Sequence, residues 1–126
     1  MAGARYAELH CRSNFSFLEG ASHPEELIER AVELGLNAVA LADRDGVYGA
    51  VRFGKAAKNT PVGAIVGVDL TLETPEAPKR RRDLTPHEAA LRPRIVLLAE
   101  DERGYANLAS AISAAQTTIP PTLQTR

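Results

Sequence analysis

The chain has no tryptophan and only three tyrosines and three phenylalanines in 126 residues. Its core must therefore be built from aliphatic side chains and alanine, without the large rings that dominate many interiors. Cysteine occurs once, at Cys11, so no disulfide can form within the chain. That suits a reducing compartment, and a cytoplasmic location is the expectation. Neither sign of charge dominates, with 15 Lys and Arg against 16 Asp and Glu for a net charge of −1. No global field therefore draws the chain to nucleic acid or to a membrane surface. The longest apolar runs, 38–42 and 95–99, fall far short of the ~20 residues that a membrane span needs. Arg5 is followed by no long apolar stretch, so no secretory leader is expected. P-loop, G-x-G-x-x-G, zinc-ribbon and G-x-S-x-G patterns are all absent.

What is present is alternation. Residues 6–10 read as a short strand. Ser22, with Glu25 three places on and Pro24 between them, opens a helix as an N-cap with a capping box. Leu27, Ile28, Ala31, Val32 and Leu34 form its apolar stripe, and Gly35 stops it. The run 37–42 reads as a strand buried on both faces, as in parallel sheets. A second helix is expected over 47–58, with Val47, Ala50, Val51, Phe53 and Ala57 on one side. A third strand follows over 64–72, then a charged, proline-containing connection over 73–93. A fourth strand over 95–99 leads into a helix capped by Asp101 that ends near Ala115. The order is β-α-β-α-β-loop-β-α, which argues for an α/β fold. Either a small open sheet or the opening segment of a barrel fits, and a closed (β/α) barrel needs about 200–250 residues.

Chemistry-bearing residues cluster where strands end. The first strand leads to His10, Arg12 and Glu19, the second to Asp43, Arg44 and Asp45, the third to Asp69. Carboxyl ends of parallel strands gather at one rim, where ligands bind. Imidazole with carboxylates suits Zn, Mn or Fe, and such an ion could activate water against a phosphoester. Arginine opposes this, because it stays charged and has no lone pair for a metal. Arg12 and Arg44 are therefore expected to pair with Glu19, Asp43 or Asp69 in place of a cation. Plainer roles compete at several positions. Asp43 and Asp45 could cap the second helix, and Cys11 reads as a small buried filler. The run Lys79-Arg80-Arg81-Arg82 is a basic patch that could meet phosphates, although a solvated charge run is the commoner meaning.

The block YAELHCRSNFSFLEGASHPEELIERAVELGLNAVALADRDGVYGAVRF resembles the start of a PHP (polymerase and histidinol phosphatase) domain. The similarity is to bacterial C-family polymerases, the DNA polymerase III alpha subunits, and among them to the error-prone, damage-inducible branch. AIVGVDLTL and RIVLLAEDERGYANLASAIS match the next two family blocks, so the resemblance covers about residues 5–115. It implies an α/β fold that is the first, incomplete part of a PHP-type (β/α) barrel over 1–116, while 117–126, with Pro120-Pro121 and no periodicity, reads as a loose tail. An active PHP site opens with histidine-x-histidine; His10 takes the first place and Arg12 the second. Glu19 matches the following carboxylate, Asp43 and Arg44 stand where the family has aspartate-histidine, and Asp69 matches a glutamate ligand. His87 is an unaligned candidate. The resemblance thus implies a vestigial metal site, with no cofactor and no catalytic residue in this part. In a full-length parent it implies Mg²⁺-dependent DNA synthesis past lesions, with DNA, the rest of the polymerase chain, mutagenesis accessory proteins and a sliding clamp as partners, and no membrane. The competing expectations are a metal-dependent PHP phosphoesterase or exonuclease and a stand-alone binding module whose strand edges need a partner.

Overall fold

The computed structural model describes residues 5–72 and 85–117. The elements, in order, are β1 (Ala7–Cys11), α1 (Pro24–Glu33), β2 (Ala38–Arg44), α2 (Ala50–Ala57), β3 (Gly63–Thr71), α3 (Pro86–Ala90), β4 (Arg94–Leu98) and α4 (Glu102–Thr117). The strands form one sheet in the order β1-β2-β3-β4. Every element expected from the sequence is there. The short helix α3, inside the supposed connection, is additional; Thr85 caps it and exchanges hydrogen bonds with Glu88.

The β1 to β2 and β2 to β3 pairings are parallel, as the alternation requires. The β3 to β4 pairing is antiparallel. A parallel return needs a crossover that carries the chain back along the sheet. Here the amide of Leu72 donates to the carbonyl of Pro93 at 2.9 Å, so the connection leaves and re-enters at one end. The first residue of β4, Arg94, therefore sits at the rim where β1, β2 and β3 finish.

Helix boundaries move by small amounts with clear causes. His23, not Ser22, precedes the first turn of α1, and Glu26 accepts the His23 amide proton at 2.7 Å. Glu25 is thereby free to pair with Arg52 of α2. Gly35, at φ +67°, ends α1, with the amide of Leu36 reaching back to the carbonyl of Ala31. α2 starts only at Ala50, because Val47 is drawn into contact with the second apolar cluster. Ala50, Phe53 and Ala57 face inward, whereas Val51, Val32 and Leu34 are exposed rather than core.

Two apolar clusters hold the helices to one face of the sheet. The larger joins Ile28 and Ala31 of α1, Val39 and Leu41 of β2, Phe53 and Ala57 of α2, and Val62. Full burial of a side chain such as Phe53 or Ile28 contributes about 1.5–3 kcal/mol. The smaller joins Val68 of β3 to Leu108 and Ile112 of α4. Cys11, half-buried, packs beside the first cluster, and burial pushes its thiol pKa up.

A three-arginine rim over two carboxylates

β1 carries an irregularity that the sequence does not announce. Glu8 pairs with Val39 and Cys11 with Leu41, so β1 advances three residues while β2 advances two. The extra residue is a bulge at Leu9–His10. It lets Cys11 face the helices while His10 reaches Asp69 across the other side of the sheet. His10 Nε2 lies 2.9 Å from Asp69 Oδ2. A carboxylate can only accept, so the proton of this bond sits on Nε2.

Beyond β1 the chain turns back in a tight loop over 13–20. Asp43, almost wholly buried on β2, is its anchor. Asp43 Oδ1 accepts from the Ser13 amide at 2.7 Å and from the Ser16 hydroxyl at 2.8 Å, and Oδ2 accepts from the Ser13 hydroxyl at 2.7 Å. The amides of Glu19 and Gly20 both donate to the carbonyl of Ser16. Gly20 comes so close that a Cβ there would lie 2.6 Å from the carbonyl carbon of Ser13. Asp43 thus does not take the plainer helix-capping role, and among the described residues no arginine pairs with it. The N-cap of α2 is Gly49, not Asp45. The Asp45 carboxylate accepts from the Thr71 amide at 2.7 Å and the Thr71 hydroxyl at 2.9 Å, fastening the end of β2 to the end of β3. Asp45 holds φ +52°, a conformation aspartate tolerates better than most residues.

The loop delivers Glu19 into a ring of guanidinium groups. Arg12 Nη1 donates to Glu19 Oε2 at 2.9 Å, and Arg12 Nη2 donates to Asp69 Oδ2 at 2.5 Å. Arg44 Nη1 donates to Glu19 Oε1, and its Nε stands 3.9 Å from Asp45 Oδ2. Arg94 completes the ring, with Nε 3.5 Å from Asp69 Oδ1 and Nη1 3.7 Å from Glu19 Oε1. The register explains the convergence: Arg44 is level with Asp69, and Arg94 is level with Thr71. Burial pushes the Asp69 carboxyl up, but hydrogen bonds from His10 and Arg12 and the charges of Arg94 and Arg12 outweigh it. Its pKa ends below the ordinary aspartate value.

The sequence candidates therefore divide. His10, Arg12, Glu19, Arg44 and Asp69 meet in one cluster. Asp43 lies beneath it as the loop anchor. His87 lies exposed in α3, and Lys79, Arg80, Arg81 and Arg82 lie outside the described residues. Arg94 was missed, because a parallel β4 would have placed Leu98 and Ala99 at this rim instead. The partnership of Ser13 and Ser16 with Asp43 carried no sequence signal beyond two hydroxyls on a short loop.

This donor set does not fit a divalent cation. Asp69 Oδ2 is already taken by two donors, the Nε2 of His10 carries a proton, and three permanent positive charges surround the carboxylates. Asp69 Oδ1 is buried without a hydrogen bond, and the nearest charge is Arg94. Among the described residues, no group of three or more His, Cys, Asp and Glu is placed to hold a metal ion. No helix among them is long and apolar enough to cross a membrane.

Known proteins place this arrangement in context. A protein of Anaeromyxobacter sp. (strain K) named error-prone DNA polymerase is 50% identical over 111 residues, which cover 88% of this chain. Proteins of the same name from Cutibacterium acnes and Mycobacterium tuberculosis are each 44% identical, over 86% and 87% of the chain. The chain spans only 9% of the length of each of these relatives. A Bifidobacterium adolescentis structure described as a metal-dependent phosphoesterase superimposes with a TM-score of 0.58 at 23% identity. That match covers 88% of this chain and 34% of the other. A Chromobacterium violaceum amidohydrolase with bound sulfate and no metal gives 0.57 at 23% identity, covering 86% and 34%. Both share the fold, and the match takes in about a third of each of those chains. The PHP domain profile itself matches residues 8–124, and the chain belongs to the PHP domain family.

Proposed function

We propose that this chain is the N-terminal part of the PHP domain of an error-prone DNA polymerase, and that it works there as a structural module and not as a phosphoesterase. The single observation that carries this is the rim itself. Arg12, Arg44 and Arg94 engage Glu19 and Asp69, the carboxylates that would otherwise hold a cation. Guanidinium groups can cross-link strand ends as a metal does, but they cannot activate water as a Lewis acid. The ion pairs tie β1, its loop, β2, β3 and β4 together at one edge, and that rigidity is what the module contributes.

The names of the relatives support the wider reading. The parent protein is a nucleotidyltransferase that extends DNA primers past lesions during repair, in the cytoplasm. Its Mg²⁺ and its DNA are held by polymerase regions outside this chain. Mutagenesis accessory proteins and a sliding clamp are its expected partners.

Two measurements test the module reading. Metal content after purification in Zn²⁺ and Mn²⁺ is expected to be far below one per chain. Hydrolysis of a generic phosphoester with added Mn²⁺ is expected at equal background for the wild type and His10→Ala. Stoichiometric metal lost on His10→Ala, or activity abolished by it, would overturn the proposal in favour of a PHP phosphoesterase.

A further inference from the structure

Arg12 and Arg44 stand at positions where the family resemblance implies imidazoles. Arg94 does not, and its geometry asks for its own account. It is the first residue of β4, about one third exposed, and it reaches two carboxylates at once without a short bond to either. It approaches Asp69 on Oδ1, the buried oxygen that nothing else satisfies, while His10 and Arg12 occupy Oδ2. Among the described residues it is the one cation that β4 brings to the rim, and only the antiparallel run of β4 puts it there.

We propose that Arg94 is a third cation-replacing residue, which occupies the positive pole between Asp69 Oδ1 and Glu19 and by itself keeps the rim closed to divalent metal. The inference rests on the reading of the rim as a metal-free ion-pair network and adds a residue to it. Returning imidazoles at positions 12 and 44 is then not enough to make a metal site. A divalent ion between Glu19 and Asp69 would still face a fixed guanidinium within a few ångströms.

The test compares variants of the full chain carrying Arg12→His and Arg44→His together, with Arg94 retained, changed to Lys, or changed to Gln. Titration with MnCl₂ is followed by calorimetry. The Gln variant is expected to bind Mn²⁺ at least ~10-fold more tightly than the other two, a change of the size that groups around a metal site usually produce. Equal affinity in all three, or no binding by a folded Gln variant, would overturn the role of Arg94 alone. Stoichiometric Mn²⁺ in the wild type would overturn the metal-free reading together with it. Arg94→Gln by itself provides a second readout that does not depend on the double substitution. Its deficit in melting temperature against wild type is expected to shrink by half or more between about 50 mM and about 1 M NaCl. A deficit that ignores salt would assign Arg94 to packing and overturn the proposal.

Discussion

Asp43 offers the sharpest test of how the rim is held. The side chain is about 1% exposed and accepts three hydrogen bonds, all from the loop that carries Glu19. Hydrogen bonds to a charged group contribute about 1.5–3 kcal/mol each, and an orphaned buried donor costs about 1–3 kcal/mol. Asp43→Ala removes every acceptor at once and leaves the Ser13 amide and two buried serine hydroxyls without that partner. The expected loss is about 3–5 kcal/mol, a large share of a domain's usual ~5–15 kcal/mol. Asp43→Asn behaves differently for a geometric reason. Two of the three bonds, from the Ser13 amide and the Ser16 hydroxyl, end on Oδ1. An asparagine can keep that oxygen in place and turn its amide toward the Ser13 hydroxyl, which then accepts. The expected cost is only about 1 kcal/mol. Urea denaturation with a shared slope reads both values. The loop should also release Glu19 in the alanine variant, so the salt dependence of its stability should weaken. If Asn costs as much as Ala, the carboxylate charge matters more than the bonding pattern, and this account of the loop is wrong.

Other consequences follow from the same geometry. Asp69 has a folded-state pKa below its ordinary value, so its contribution is complete above the usual carboxylate range. That contribution should vanish as pH falls through the lowered folded value; acid unfolding curves of wild type and Asp69→Asn should converge there, and parallel curves would contradict it. Glu19→Gln removes the anion between Arg12 and Arg44 and should cost about 1–2 kcal/mol in low salt and less in high salt, by thermal melting in both. Gly20→Ala puts a Cβ against the Ser13 carbonyl and should cost about 1–3 kcal/mol through loop displacement, whereas the same change at Gly54, where nothing lies within 4 Å, should be neutral or stabilising.

How much of this was legible beforehand depends on the range of the interaction. Pro24, the Ile28–Ala31 stripe and Gly35 specify α1 within a dozen residues of chain, so its existence could be read while its first residue slipped by one. The apolar run 38–42 could only be a buried strand. The block pattern around His10, Asp43 and Asp69 was enough to identify the PHP domain family. That Arg12 and Arg44 stand where the family resemblance implies imidazoles was visible as letters. Their partners were not. Arg12 and Arg44 could have gone to Asp43 on charge alone, but Asp43 is consumed by Ser13 and Ser16 beneath the loop.

The sequence by itself determined the elements other than the short α3, because the periods of helix and strand are local properties of side-chain spacing. It also determined the family, and it placed two guanidinium groups at strand ends where the family resemblance implies imidazoles. The tertiary structure alone decided the direction of β4, the bulge at Leu9–His10 and the arrival of Arg94. Those depend on which end of the sheet the chain re-enters after Leu72 and on the register of β3 against β4. No local pattern encodes either, since a strand reads the same in both directions until its neighbours are known.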